Sequence, residues 1–94
     1  MINAADYIKT GHDNAMTREE LVSLTGLTDR EVRKDIQYAS AHGDLIINMQ
    51  DGKGYFRPSP IKDDAIVRNW IMLMQSRIKE EERKLHIAER FING

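Results

Sequence analysis

The chain has 94 residues with 14 basic and 15 acidic side chains, a net charge of −1 and no cysteine. That length holds one small core plus an appended element, and the missing cysteines exclude disulfide staples and thiolate zinc sites. The composition, 40% hydrophobic and 31% charged residues, is that of an ordinary soluble globular protein and argues against wholesale disorder. No long apolar run or basic-then-apolar leader is present, so a soluble cytoplasmic protein without a membrane partner is expected.

Residues 2–9 are expected to form a short helix with Ile2, Ala5 and Ile8 on one side, closed by Gly11. Asn14-Ala15-Met16 reads as a short extended entry to the next helix. Two helix-start signatures then come in close succession, Thr17-x-x-Glu20 and Thr28-x-x-Glu31. In each, the Thr accepts the N3 backbone N–H and the Glu reaches back to the cap N–H, a capping box. The first helix spans about 18–24, with Leu21, Leu24 and Leu27 facing inward, and Gly26 breaks it. The second begins at Thr28 and ends near Gly43, with Val32, Ile36 and Ala39 as its buried stripe. Residues 45–49 alternate as a strand with Leu45, Ile47 and Met49 on one face. Gln50-Asp51-Gly52-Lys53-Gly54 is the turn, 55–57 the return strand, and Pro58 its end. Ser59-Pro60 is a helix start, with Asp63 and Asp64 at the positive end of the helix dipole. No Gly or Pro then interrupts the chain until Asn93-Gly94.

Helix, tight turn, helix and glycine-tipped hairpin is the order of a winged helix-turn-helix, which places its second helix in the major groove of DNA. The expected fold class is α+β, mostly α: a winged helix-turn-helix over 1–60 and a long C-terminal amphipathic oligomerisation helix over 61–94. The charge of the first part argues mildly against DNA. Residues 1–60 carry Lys9, Arg18, Arg30, Arg33, Lys34, Lys53 and Arg57 against Asp6, Asp13, Glu19, Glu20, Asp29, Glu31, Asp35, Asp44 and Asp51, whereas DNA affinity rests on neutralising phosphates. A helical projection around Val32 answers much of this objection. Arg30, Lys34, Gln37 and Ala41 lie opposite the buried stripe, flanked by Arg33 and Tyr38, while Asp29, Glu31 and Asp35 fall on the flanks or toward the core. Arg and Lys suit guanine edges and Gln suits adenine; a solvated surface helix would also carry them.

At the hairpin tip Lys53 stands between two glycines, where a cation can approach phosphate or the minor groove. Arg57 is a second candidate phosphate contact, the alternative being a merely exposed side chain. The helix start at Thr17 can present N–H groups to a phosphate, although ordinary capping is the safer account. The expected DNA-facing set is therefore Thr17, Thr28, Arg30, Arg33, Lys34, Gln37, Lys53 and Arg57.

Leu24-Thr25-Gly26-Leu27-Thr28 through Gly52-Lys53-Gly54-Tyr55, followed by Pro58 and Pro60-Ile61, resembles the winged-helix domain of bacterial biotin repressors and small winged-helix proteins of phages and prophages. The similarity covers about residues 2–61. Its most specific part is the Gly-Lys-Gly-Tyr hairpin with Ile36-Gln37 upstream. Biotin repressors continue into a ligase domain for which this chain has no room, so biotin chemistry is not carried over. The resemblance implies double-stranded DNA binding through the helix that begins at Thr28, with the hairpin alongside, and makes a phage or prophage origin plausible.

Along the last helix Val67, Ile71, Met74, Ile78, Glu81, Leu85, Ala88 and Ile92 recur alternately four and three residues apart, a heptad register. Ile66, Trp70 and Leu73 widen the apolar surface at its start, Ile87 and Phe91 at its end, and a charged RIKEEERK lies between. The oligomer interface is expected at Val67, Trp70, Ile71, Met74, Ile78, Leu85, Ala88 and Ile92, in an antiparallel homodimer centred near Lys79. The alternative is that residues 64–75 pack on the N-terminal domain while the end frays.

His12, His42 and His86 are widely separated and read as surface or helix-end histidines, so no metal or cofactor is expected. No nucleophile motif, acidic dyad or phosphate loop stands out, so the chain is not expected to be an enzyme. The leading expectation is a homodimeric, sequence-specific DNA-binding protein, a transcriptional regulator, with helix 28–42 in the major groove and residues 50–54 on the backbone or minor groove. The alternative is a protein-interaction or assembly module, such as a phage replication or packaging accessory.

Overall fold

Thr17 and Thr28 start their helices as their spacing from Glu20 and Glu31 requires. In the computed structural model, which describes residues 2–94, both capping boxes are closed. Glu20 N donates to Thr17 Oγ1 at 3.1 Å and Thr17 N to Glu20 Oε1 at 3.1 Å. Glu31 N donates to Thr28 Oγ1 at 3.1 Å and Thr28 N to Glu31 Oε1 at 3.2 Å. The resulting helices are α1, Arg18–Thr25, and α2, Asp29–Ala41. A threonine cap of this kind stabilises its helix by about 1 kcal/mol.

The turn between them is locked from inside. Gly26 is left-handed at φ 75° and its N–H donates to Val22 O at 2.9 Å. Buried Thr25 donates from Oγ1 to Leu21 O at 2.6 Å and accepts Leu27 N at 3.2 Å. Leu21, Thr25 and Val22 therefore set the inward side of α1. Leu24, expected inside, lies well round the helix from that stripe and is 56% exposed.

The segment before α1 is tighter than the expected helix over 2–9. It is a single 3-10 turn, Ala4–Tyr7, followed by another at His12–Asn14. Two donors of the first turn are fixed by side chains: Ala5 N bonds Asn3 Oδ1 at 2.9 Å, and Ala4 N bonds Asp35 Oδ2 of α2 at 2.8 Å. Ala4, Ala5 and Ile8 are consequently buried and Ile2 is not. Ala4, Ile8, Leu21, Val32 and Ile36 form the core cluster, with Met16, Val22, Leu27, Ile46 and Tyr55 packed around it.

The hairpin consists of β1, Ile47–Asn48, and β2, Tyr55–Phe56, antiparallel, with Ile47 opposite Phe56 and Asn48 opposite Tyr55. β1 is shorter than the alternation over 45–49 suggests and β2 is shorter than the expected 55–57, and Leu45 is exposed. Ile47 and Phe56 are fully buried, so the register follows from hiding that pair. The outer edge of β2 is also covered. Met16 N bonds Tyr55 O at 2.9 Å and Tyr55 N bonds Met16 O at 2.7 Å, while Arg57 N bonds Lys9 O at 2.9 Å and Gly11 N bonds Arg57 O at 2.7 Å. Gly54 lies where these chains cross. It is buried at φ 100°, and a Cβ there would stand 2.1 Å from Met16 O.

After Pro58 the expected helix start at Ser59-Pro60 becomes a separate turn. Ser59 Oγ accepts Ile61 N and Lys62 N at 3.3 Å, and Asp63 N bonds Ser59 O at 3.0 Å. Asp63, buried, accepts Ser59 N at 2.8 Å and His12 N at 3.1 Å on one carboxylate oxygen. Those bonds hold it to the N-terminal unit, so the chain divides at Asp64 rather than at Pro60. The second unit, from Ala65 on, belongs to α3, Asp64–Asn93, a 30-residue helix about 45 Å long with no buried residue. Among the described residues, no helix is long and apolar enough to cross a membrane.

Gly54→Ala is expected to destabilise the N-terminal unit by about 2–4 kcal/mol, because backbone atoms rather than a flexible side chain meet the new methyl. Gly52→Ala, at φ 84° but in open space, is expected to cost only about 1 kcal/mol of left-handed strain. Thermal unfolding of the two variants checks the ranking; equal losses would contradict it.

Candidate nucleic-acid interface

The three acids of the first turns of α2 are all engaged within the chain. Asp29 holds Arg18 Nε at 3.1 Å on one oxygen and Arg33 Nε at 3.1 Å on the other. Glu31 closes its capping box, also accepting Thr28 Oγ1 at 3.0 Å. Asp35 caps the first 3-10 turn through Ala4 N. What remains on the outer side of α2 is Arg30, Lys34 and Gln37, all exposed. Among the described residues, no side-chain hydrogen bond or ion pair engages these three.

Arg33 is also exposed, but its guanidinium is turned along the helix to Asp29. An exposed pair of this kind contributes about 0.3–0.5 kcal/mol, so a stronger anion can displace it. Arg18, from α1, is absent from the expected set; it joins the first turns of α1 and α2 across Asp29. A projection of α2 alone cannot reveal a cation on another helix. The Thr17 and Thr28 hydroxyls are engaged as caps, which leaves their helix starts rather than their side chains to face a ligand.

A polar cleft of about 590 Å³ lies where the starts of α1 and α2 meet the hairpin, lined by Thr17, Arg18, Glu19, Asp29, Asn48, Gln50, Gly52, Gly54 and Tyr55. The structure thus brings Thr17, Arg18 and Asp29 beside the hairpin turn. Arg30, Lys34, Gln37 and Lys53 do not line this cleft.

The hairpin tip is pinned, which the local sequence does not reveal. Asp51 Oδ1 accepts Lys53 N at 3.0 Å, and Oδ2 lies 2.7 Å from His12 Nε2. The His12 ring meets Phe56 edge-on at 5.0 Å. His12, expected at the surface or a helix end, opens the 3-10 turn His12–Asn14 and tethers the N-terminal segment to the hairpin. The Lys53 N–H, and then the His12 bond, hold the Asp51 carboxyl below its ordinary pKa. The Lys53 N–H is thus held by Asp51 while its side chain is exposed.

Arg57 is differently placed from expectation. Its Nε and Nη2 bond both oxygens of Asp44 at 2.9 and 2.7 Å, and Nη1 donates to Ile8 O. This bidentate fork ties the loop after α2 to the segment before α1, so Arg57 is a strut rather than an open phosphate ligand. The Arg57 bond lowers the Asp44 pKa, and the Asp44 bond raises that of Arg57. At the far end of α2 the rings of Tyr38 and His42 stack at 4.1 Å, with His42 Nδ1 2.8 Å from Tyr38 O. Among the described residues, no cluster of His, Cys, Asp or Glu is arranged to hold a metal ion.

In comparisons with known proteins the chain matches no family model, no curated protein and no solved structure.

Asp44 and Asp51 have folded pKa values below the ordinary 3.8. Their stabilising contribution is complete above that value and is lost as pH falls through the lowered one. Melting temperature measured from pH 6 down to pH 2 is expected to fall with acidification, and Asp44→Asn is expected to flatten part of that fall. An unchanged slope in the variant would contradict the assignment.

Proposed function

We propose that the N-terminal unit is a winged helix-turn-helix that binds double-stranded DNA sequence-specifically, and that the chain regulates transcription. The observation that supports this reading most is the composition of the outer face of α2. With Asp29, Glu31 and Asp35 all bonded inside the chain, Arg30, Lys34 and Gln37 offer the three donor types suited to base edges.

In this reading α2 enters the major groove with its N-terminal half against the bases. Arg30 and Lys34 address guanine, and Gln37 addresses adenine. Arg33 exchanges Asp29 for a phosphate or base, since the exposed pair is weak. The starts of α1 and α2 offer backbone N–H groups to phosphates. Lys53 contacts the backbone or minor groove from the hairpin tip, and its pinned backbone limits the entropy lost on contact. Arg57 holds the fold together and leaves the contact set. The unit's acidic balance keeps nonspecific affinity low, because counterion release scales with the phosphates neutralised. Specificity then rests on a few base contacts rather than on bulk charge.

Selection of the full chain against a random duplex library tests this. An enriched motif is expected, and Arg30→Ala or Lys34→Ala should each weaken binding to it by about 1–3 kcal/mol with relaxed preference at one position. Lys53→Ala should weaken all sequences about equally and reduce the salt slope by about one. Without enrichment, and with no salt-dependent binding at low ionic strength, the chain would instead be a protein-assembly module.

A further inference from the structure

The apolar pattern of α3 is laid out for a second copy of itself in the opposite direction. None of its thirty residues is buried. Ile71, Leu73, Ile78, Leu85, Phe91 and Ile92 are among the exposed large hydrophobics of the chain. A helix with such a stripe over this length needs a cover, and the heptad spacing fits another helix.

We propose that α3 pairs antiparallel with α3 of a second copy, in a register centred between Lys79 and Glu80. In that register Val67 meets Ile92 of the second copy, Ile71 meets Ala88 and Met74 meets Leu85. Each pair occurs twice by symmetry, and each joins apolar to apolar. Trp70 flanks the seam beside Phe91 of the second copy, while Ile66, Leu73 and Ile87 lie farther round the helix, outside the seam.

The charged centre decides the direction. In a parallel pair Glu81 would face its own copy within the seam, two like charges withdrawn from water. The compensating flank pairs, Arg77 with Glu82 and Lys84 with Glu89, lie at the exposed edge, where ion pairs contribute little. In the antiparallel register Glu81 instead stands against Ile78, beside Arg77 of the second copy. Within one helix Lys84 Nζ is already 3.7 Å from Glu81 Oε1. The carboxylate then lies between its own Lys84 and the second copy's Arg77. The apolar matching and the placing of Glu81 between cations select this register, in which Arg77 and Lys84 of the second copy share the second copy's Glu81 carboxylate at the flank. The pairing is independent of whether the N-terminal unit binds DNA.

Sedimentation of the unaltered chain at tens of micromolar, followed by thiol pairing, tests the proposal. The chain has no cysteine of its own, so introduced thiols report only on each other. Two single variants, Ile71→Cys and Ala88→Cys, are oxidised separately and as a mixture in a glutathione buffer. In the antiparallel register like positions stand roughly 25 Å apart along the axis. The mixture is therefore expected to yield the 71–88 heterodisulfide, and each variant alone little covalent dimer. A monomer or a larger assembly in sedimentation would overturn the proposal. So would covalent dimer from either variant alone at a level matching the mixture.

Discussion

Two stretches of backbone cross at Met16 and Gly54 so closely that neither can carry a side chain toward the other. Met16 and Tyr55 exchange both of their backbone hydrogen bonds there, and the glycine between hairpin turn and strand makes the approach possible. Thr17, the cap of α1, is the next residue along. The direction in which α1 leaves the sheet is therefore fixed by the same contact that fixes the base of the hairpin. Through the locked turn at Thr25 and Gly26, α2 inherits its position from α1. The Asp44–Arg57 fork and the His12–Asp51 bond then secure the other side of the hairpin. Neither contact is deeply buried, so they hold orientation more than they add stability.

The outer surface of α2 follows from where its acids go. An acidic unit would ordinarily repel a polyanion, but Asp29 is paired with two arginines, and the carboxylates of Glu31 and Asp35 are held on the flanks of α2 by hydrogen bonds within the chain. Glu31 faces its own cap, and Asp35 turns toward the N-terminal 3-10 turn. The residues that define the fold are thereby the same ones that leave Arg30, Lys34 and Gln37 unopposed. Fold and candidate site are coupled through these three carboxylates.

Local signals are legible in the sequence to within a residue or two. Both capping boxes, the break at Gly26, the end of α2 before Gly43 and the hairpin turn are encoded by neighbours three or four positions apart. The buried Val32–Ile36 stripe follows from helical period alone. The features that escape such reading depend on partners distant in sequence. Arg57 reads as a phosphate ligand because nothing nearby shows that Asp44 and Ile8 O claim it. His12 is separated from Asp51 by the whole of α1 and α2. Asp63, a helix-dipole acid by its position in sequence, is withdrawn by the His12 N–H, which moves the start of α3 to Asp64. Leu24 is expected inside because leucine is apolar, whereas Thr25 takes the inward position by bonding its hydroxyl to Leu21 O.

The most direct measurement of the central claim is a backbone amide NMR titration of the full chain with a random-sequence duplex at low salt. Salt-sensitive shift changes concentrated on residues 29–37 of α2 and 51–54 of the hairpin, with the core of the N-terminal unit and the length of α3 unaffected, would agree with a DNA-facing α2. Absence of any change at those positions under the same conditions, or changes confined to α3, would contradict it.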